Sequence, residues 1–194
     1  MEETSVGTPQ RLDDLAPRRD APEVRLGFAL VTTFGLGYLR PASGTWGSMP
    51  PPALAMGLAA LVIGMDLPWG VYVAPLVAIL LASCAACVFM GDRAEARFGK
   101  KDASEIVADE TAGQCIPLMA VPVFVSIEEP FWSAFWPAAV LITASFFAFR
   151  LFDIWKLEPA NMMQSAPAGW GVLLDDLIAG VYAAAAVCVL GLCL

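Results

Sequence analysis

The sequence predicts an all-α fold, a multi-helix membrane-associated bundle with about four to five transmembrane helices plus short re-entrant or interfacial helices. Of its 194 residues, 58% are hydrophobic and only 15% are charged. Ordinary soluble domains are about 45–50% apolar and about 25% charged. The basic residues also avoid two of the predicted interhelical loops. These observations predict one multi-pass helical unit.

The polar start of the chain is distinct from the rest. Residues 1–25 are rich in proline and charge, so we expect a disordered cytoplasmic tail there and a helical membrane domain over residues 26–194. The segment Leu26–Leu39 is apolar but interrupted by glycines. It is too short to cross about 30 Å of hydrocarbon, which predicts a short helix or re-entrant element.

Five apolar stretches are candidate membrane spans. Proline is tolerated in a first helical turn, so the prolines at 50–52 can open the first span and supply the length that it otherwise lacks. Pro117 and Pro122 are expected to kink the third. The predicted spans are Ala53–Met65, Val71–Met90, Thr111–Val125, Phe131–Phe152 and Val172–Leu194.

The distribution of charge predicts an orientation and excludes one class of partner. All 11 basic residues lie outside the loops Asp66–Trp69 and Ser126–Pro130, in the tail, at Arg40, in the predicted loop Asp92–Lys101, and at Arg150 and Lys156. By the positive-inside rule, the basic side is cytoplasmic. The net charge of -8 and the lack of a basic stripe argue against a nucleic-acid partner.

Carboxylates lie in or beside apolar stretches on that same side. Near hydrocarbon, a carboxylate costs about 2.5–3.5 kcal/mol unless a cation or proton accompanies it. The chain has no histidine, and hard oxygen ligands without imidazole indicate Mg²⁺ or a similar ion. The candidate metal ligands are Asp109, Asp153, Asp175 and Asp176, and Glu110 joins them as a candidate catalytic acid.

Two of these acids, Asp109 and Glu110, are neighbours in the sequence. On a helix they point about 100° apart, so we expect only one of them to face an ion squarely while the other acts as a base or orients a water. The alternative is that both are ordinary first-turn acids, favoured by the helix dipole.

Two further segments carry candidate phosphate ligands. Glycines, hydroxyls and free backbone amides form anion-binding nests, although a plain turn between two short helices is the alternative. Arg150, Asp153 and Lys156 recur at three-residue intervals and share one helical face, where they either hold phosphate or anchor the helix at the interface. In the first of these segments, around residue 44, the candidate phosphate ligands are Arg40, Gly44, Thr45, Gly47 and Ser48.

The motifs GTWGS, DETAGQ, FRLFDIWK and GWGVLLDDLIAG, in this order, resemble the phosphatidylglycerophosphatase A family of bacterial Mg²⁺-dependent lipid phosphatases. The resemblance covers residues 34–182 and implies dephosphorylation of phosphatidylglycerophosphate to phosphatidylglycerol in phospholipid biosynthesis. It implies a bacterial enzyme, which we expect in the inner membrane with its active site on the cytoplasmic face that the basic residues indicate. Carried over to this chain, the five acids become metal and catalytic residues, and Arg150 and Lys156 become the phosphate clamp.

Two other classes of protein remain as alternatives. An ion-coupled carrier would place acids near the middle of the bilayer along a path to both faces. A non-catalytic lipid-binding protein would keep the glycines and tolerate loss of the acids. The predicted clustering of acids at one end of the helices favours the enzyme, for which we expect direct attack by water rather than a covalent intermediate.

Overall fold

A computed structural model describes residues 22–100, 103–155 and 170–194 of the chain. These residues form α-helices and two short 3₁₀ turns, Leu36–Tyr38 and Val121–Val123, and contain no strand, as expected for an all-α fold. The helices are α1 (Pro22–Val31), α2 (Ser43–Ser48), α3 (Pro50–Gly64), α4 (Gly70–Phe98), α5 (Ala108–Leu118), α6 (Phe131–Trp155) and α7 (Trp170–Gly191).

Four helical segments within the described residues are long and apolar enough to cross a membrane, which confirms the predicted class. The prolines at 50–52 open helix α3 as expected, although the first span begins earlier and includes α2 as well. The four segments are Ser43–Gly64, Gly70–Phe98, Phe131–Trp155 and Leu173–Gly191.

The predicted span Thr111–Val125 is wrong as a single helix. Helix α5 has 11 residues and ends at Leu118, and the chain continues through the 3₁₀ turn Val121–Val123. Pro122 lacks an amide hydrogen and so cannot continue the α-helical ladder. Most side chains of α5 are buried, and the helix contacts α3, α4, α6 and α7. The broken segment is therefore the centre of the bundle.

The two ends of the bundle differ in the residues that they carry. At one end, the Tyr72 hydroxyl donates to the Leu118 carbonyl over 3.1 Å, and Gly191 lies against the Phe124 ring. At the other end lie the starts of α5 and α7 and the last turns of α6, which carry Asp109, Asp176 and Arg150. We call the second end the acidic end and the first the opposite end.

Two predicted boundaries differ from the structure at the acidic end. The predicted loop Asp92–Lys101 is helical as far as Phe98, where Gly99 at φ +68° ends α4 in the left-handed conformation that favours glycine. Helix α1 begins at Pro22, inside the range assigned to the tail, and packs on the second half of α4. Residues 1–21 of the predicted tail lie outside the described residues.

Candidate active site

Three carboxylates meet at the acidic end of the bundle. Asp109 and Glu110 lie in the first turn of α5, and Asp176 lies in the second turn of α7; oxygen atoms of all three are within 4.8 Å of one another. Asp109 and Glu110 were expected not to face one ion squarely together; an oxygen of each lies within 4.8 Å of the other, and the division of roles between them stays a prediction. Asp109 is also fixed locally, since its Oδ1 accepts the amide of Glu110 over 3.1 Å.

Glycines bring α5 and α7 together beside these acids. A Cβ on Gly113 would stand 2.5 Å from the carbonyl oxygen of Asp176 and 2.6 Å from the Phe149 ring. A Cβ on Gly180 would overlap the carbonyl oxygen of Gly113. Gly113 lies one helical turn beyond Asp109, so the closest approach of the two helices is adjacent to the carboxylates.

The remaining two candidate acids lie next to the group of three. Asp153 forms an ion pair with Arg150, and its negative charge acts on Asp176. Asp175 is buried, but the group of three formed within the described part of the chain does not include it. Consecutive residues of a helix point about 100° apart, which explains why Asp176 joins the group and Asp175 does not. Metal ligation by Asp153 and Asp175 stays a prediction.

Arg150 supplies a cation beside the carboxylates. Its Nη1 is 2.6 Å from Asp153 Oδ2 and donates to Ser48 Oγ over 3.3 Å. The Ser48 hydroxyl donates in turn to the carbonyl of Gly44 over 2.6 Å. These contacts fix the guanidinium between α6 and α2, with its side chain only 17% exposed.

The segment around Gly44 is a short helix rather than an open loop. The amides of Thr45 and Trp46 donate to the carbonyl of Ala42, so the expected run of free amides is not formed at these two residues. Gly44 is needed for a different reason, because a Cβ there would overlap Glu110 Oε1 and stand 3.1 Å from Arg150 Nη1.

Gly47 has a packing function. A Cβ on Gly47 would stand 2.5 Å from Cβ of Val107, and its carbonyl accepts the Thr111 hydroxyl over 2.8 Å. These contacts attach α2 to the start of α5. The predicted phosphate contacts of Gly44, Thr45, Gly47 and Ser48 stay predictions.

The other two predicted cations are placed differently. Arg40 has a 56% exposed side chain, forms an ion pair with Glu105 at 2.6 Å and donates to Ser104 over 2.9 Å. It is thus engaged by the segment that precedes α5. Lys156 lies outside the described residues. Substrate binding by Arg40 and Lys156 stays a prediction.

The electrostatics of the start of α5 favour a bound cation. Burial raises the pKa of Asp109, and burial together with the negative charge of Asp109 raises the pKa of Glu110 well above its usual range. Glu110 Oε2 is buried without a hydrogen-bond partner among the described residues. A cation would relieve the repulsion between the two carboxylates. The hard oxygen donors therefore fit a divalent metal ion.

Sequence reasoning missed one buried polar residue at this site. Gln114 lies one turn after Glu110, is fully buried, and donates from Nε2 to Ser145 Oγ over 3.4 Å. An amide in an otherwise apolar stretch of the DETAGQ motif was the available signal. It places a second polar layer on α5, one turn from the carboxylates towards the opposite end.

Comparisons with known proteins give a consistent assignment. The family described as Phosphatidylglycerophosphatase A matches residues 29–191. A Haemophilus influenzae phosphatidylglycerophosphatase A is 32% identical over 159 residues, which are 79% of this chain and 82% of that protein. The Escherichia coli phosphatidylglycerophosphatase A is 28% identical over 156 residues, or 80% and 77% of the two chains.

Another relative has a different name. A Bacteroides thetaiotaomicron protein, named provisionally as a phosphatidylinositol-3-phosphatase, is 32% identical over 151 residues, which are 78% of this chain and 84% of that protein. No solved structure matches.

Four helices able to cross a membrane, a carboxylate site at one end and these relatives define a membrane phosphatase. The chain belongs to the phosphatidylglycerophosphatase A family, which confirms the resemblance seen in its motifs. Its activity is the dephosphorylation of phosphatidylglycerophosphate, as expected.

Proposed function

We propose that the protein removes the terminal phosphate of phosphatidylglycerophosphate at the cytoplasmic face of the bacterial inner membrane, in a Mg²⁺-dependent reaction centred on Asp109, Glu110 and Asp176. The observation that carries this proposal is the meeting of three carboxylates from two helices beside one fixed guanidinium. Phosphate and metal chemistry need these opposite charges next to each other.

Some carboxylate oxygens would bind the metal ion, and one would orient the attacking water. Asp109, Asp176 and one oxygen of Glu110 would hold the ion, with the ion pair of Asp153 and Arg150 beside them. When bound, Mg²⁺ supplies positive charge that polarises the phosphoryl group. The second Glu110 oxygen, Oε2, is the atom without a partner among the described residues, and we assign it the role of orienting the water and accepting its proton.

The reaction needs no covalent intermediate. The water oxygen forms a bond to phosphorus as the bond from phosphorus to the glycerol oxygen breaks. The departing oxygen takes up a proton, so the products are phosphatidylglycerol and inorganic phosphate. Arg150 neutralises charge on the phosphoryl oxygens, because its guanidinium has donors beyond the Nη1 group that contacts Asp153 and Ser48.

The cytoplasmic location is supported by the positions of the basic residues. Four arginines lie towards the acidic end of the bundle: Arg40, Arg93, Arg97 and Arg150. The loops at 66–69 and 126–130 contain no basic residue. By the positive-inside rule, the side of the membrane that carries these arginines is expected to be cytoplasmic, which supports a cytoplasmic site.

The central experiment measures inorganic phosphate released from phosphatidylglycerophosphate by purified protein with Mg²⁺. Asp176→Asn should lower the rate by at least about a thousandfold, since it removes a ligand charge. Asp66→Asn, at the opposite end, is the matched control and should match wild type. Phosphatidylinositol 3-phosphate should be a poorer substrate. Release that survives excess EDTA, or wild-type activity of Asp176→Asn, would refute the metal site.

A further inference from the structure

An apolar groove opens between α3 and α6 next to the site. Its volume is about 390 Å³, within the range of about 300–1,000 Å³ typical of ligand pockets. Met49, Ala53 and Met56 line one wall, and Ile142, Phe146 and Phe147 line the other. Both walls belong to helices long and apolar enough to cross a membrane, and Phe147 of the lining is 65% exposed, so the groove opens on the outer surface of the bundle.

The groove begins one helical turn from the cation of the site. Phe146 precedes Arg150 by one turn of α6, about 6 Å along the axis, and so lies on the same helical face. Met49 directly follows Ser48, whose hydroxyl accepts Arg150 Nη1 over 3.3 Å. The same two helices therefore present a cation at the acidic end and an apolar channel that leads from it into the membrane.

We propose that this groove holds an acyl chain of the lipid substrate while the terminal phosphate lies at Arg150. The inference rests on the proposed function, from which it takes the lipid and the position of its phosphate. The glycerol phosphate part of the headgroup spans the turn between Arg150 and Phe146. The walls are apolar except for the hydroxyl of Thr143, so they match hydrocarbon better than a polar or charged ligand.

The groove orients the substrate and contributes little affinity. A chain that moves from the bilayer into the groove exchanges one apolar environment for another, so no hydrophobic gain results. A fixed chain instead limits the positions of the phosphate, and a displacement of about 1 Å at a reacting centre costs up to about a hundredfold in rate. The groove should thus affect turnover of long-chain substrate in particular.

The first test fills the groove. Ala53→Phe places a ring in it, and Thr143→Leu adds volume at a second exposed position of its lining. We expect either variant to lower the ratio of kcat/KM for long-chain to short-chain phosphatidylglycerophosphate by about tenfold or more. Val181→Phe, at an exposed position of α7 outside the groove, should keep the wild-type ratio. An unchanged ratio in both folded groove variants overturns the inference and leaves the proposed function intact.

A second measurement is independent of turnover. A phosphatidylglycerophosphate analogue with a diazirine in one acyl chain is photolysed with wild-type protein in EDTA. The labelled peptides are then identified. Label on residues 49–56 and 142–147 that exceeds the label from phosphatidylcholine with the same chain supports the groove. Equal label from both lipids means that bulk lipid occupies the groove, and this result overturns the inference. An oligomer of Ala53→Phe that is smaller than the wild-type oligomer would assign the groove to a second copy of this chain, and it overturns the inference as well.

Wild-type protein that is inactive but selectively labelled refutes only the proposed reaction.

Discussion

The backbone of Asp176 lies against Gly113, so closely that a methyl group on the glycine would stand 2.5 Å from the carbonyl oxygen of Asp176. This contact joins α5 and α7 one turn from Asp109. It sets the separation between Asp176 and the carboxylates of α5, because both helices are rigid over this distance.

Gly113→Ala should therefore separate the carboxylates. Overpacking of this kind costs about 1–3 kcal/mol of stability, and a shift of about 1 Å at the site should lower kcat by up to about a hundredfold. Gly57→Ala is the control, since its Cβ would meet nothing within 4 Å. Thermal unfolding and phosphate release measure the two effects. Wild-type kinetics in Gly113→Ala would show that this contact does not position Asp176.

The adjacent aspartates of α7 should respond differently to mutation. Mg²⁺ at about a hundred times its dissociation constant should stabilise the protein by about 2.7 kcal/mol, which raises the unfolding temperature by about 5 °C or more. Asp176→Asn should lose this shift because it removes a member of the group of three, and Asp175→Asn should keep most of it. Equal loss in both variants would make Asp175 a ligand as well.

Arg150 should not be replaceable by lysine. A lysine ammonium is a point charge that cannot contact Asp153, Ser48 and a phosphate in the planar geometry of a guanidinium. We expect kcat/KM of Arg150→Lys to fall by about a hundredfold. Arg93→Lys, on the exposed surface of α4, provides the comparison and should change the rate by less than about twofold. Comparable rates in the two variants would exclude a specific guanidinium contact.

A natural cysteine allows the topology to be tested. Cys193 is exposed and follows the last turn of α7, at the opposite end from the carboxylates. A membrane-impermeant thiol reagent added to intact cells should label the wild-type protein but not Cys193→Ser. Adding Glu128→Cys to that variant should restore labelling, and adding Ser104→Cys should do so only after permeabilisation. The reverse pattern would place the site outside the cytoplasm.

The sequence predicted the helical class and the end of the bundle that carries the acids, because composition and the positions of arginines are local information. It also predicted that the prolines at 50–52 open a helix. The prolines at 117 and 122 were expected to kink one long helix, whereas helix α5 ends at Leu118. A broken helix needs surrounding helices to shield it, and the pattern of one segment does not report its neighbours.

The sequence did not predict which carboxylates come together, because the spacing of residues along the chain does not give the distances between their side chains. Angular separation within a helix predicted that Asp109 and Glu110 cannot both face one ion squarely, but it did not show that an oxygen of each lies within 4.8 Å of the other. The same angle does separate Asp175 from Asp176. Gly44 was predicted to create a backbone nest, but the space that it leaves is filled by the Glu110 side chain. Such contacts join residues far apart in the chain.

The central position of α5 has a consequence for how this protein meets its surroundings. Asp109 and Glu110 belong to the helix enclosed by the others, whereas the long outer helices present their apolar faces to the membrane. A thinner or stiffer bilayer acts first on those outer helices through tilt and mismatch. A change in bilayer thickness would therefore reach Asp109 and Glu110 only through the helices that enclose α5, whereas Asp176 and Arg150 would move directly with α7 and α6.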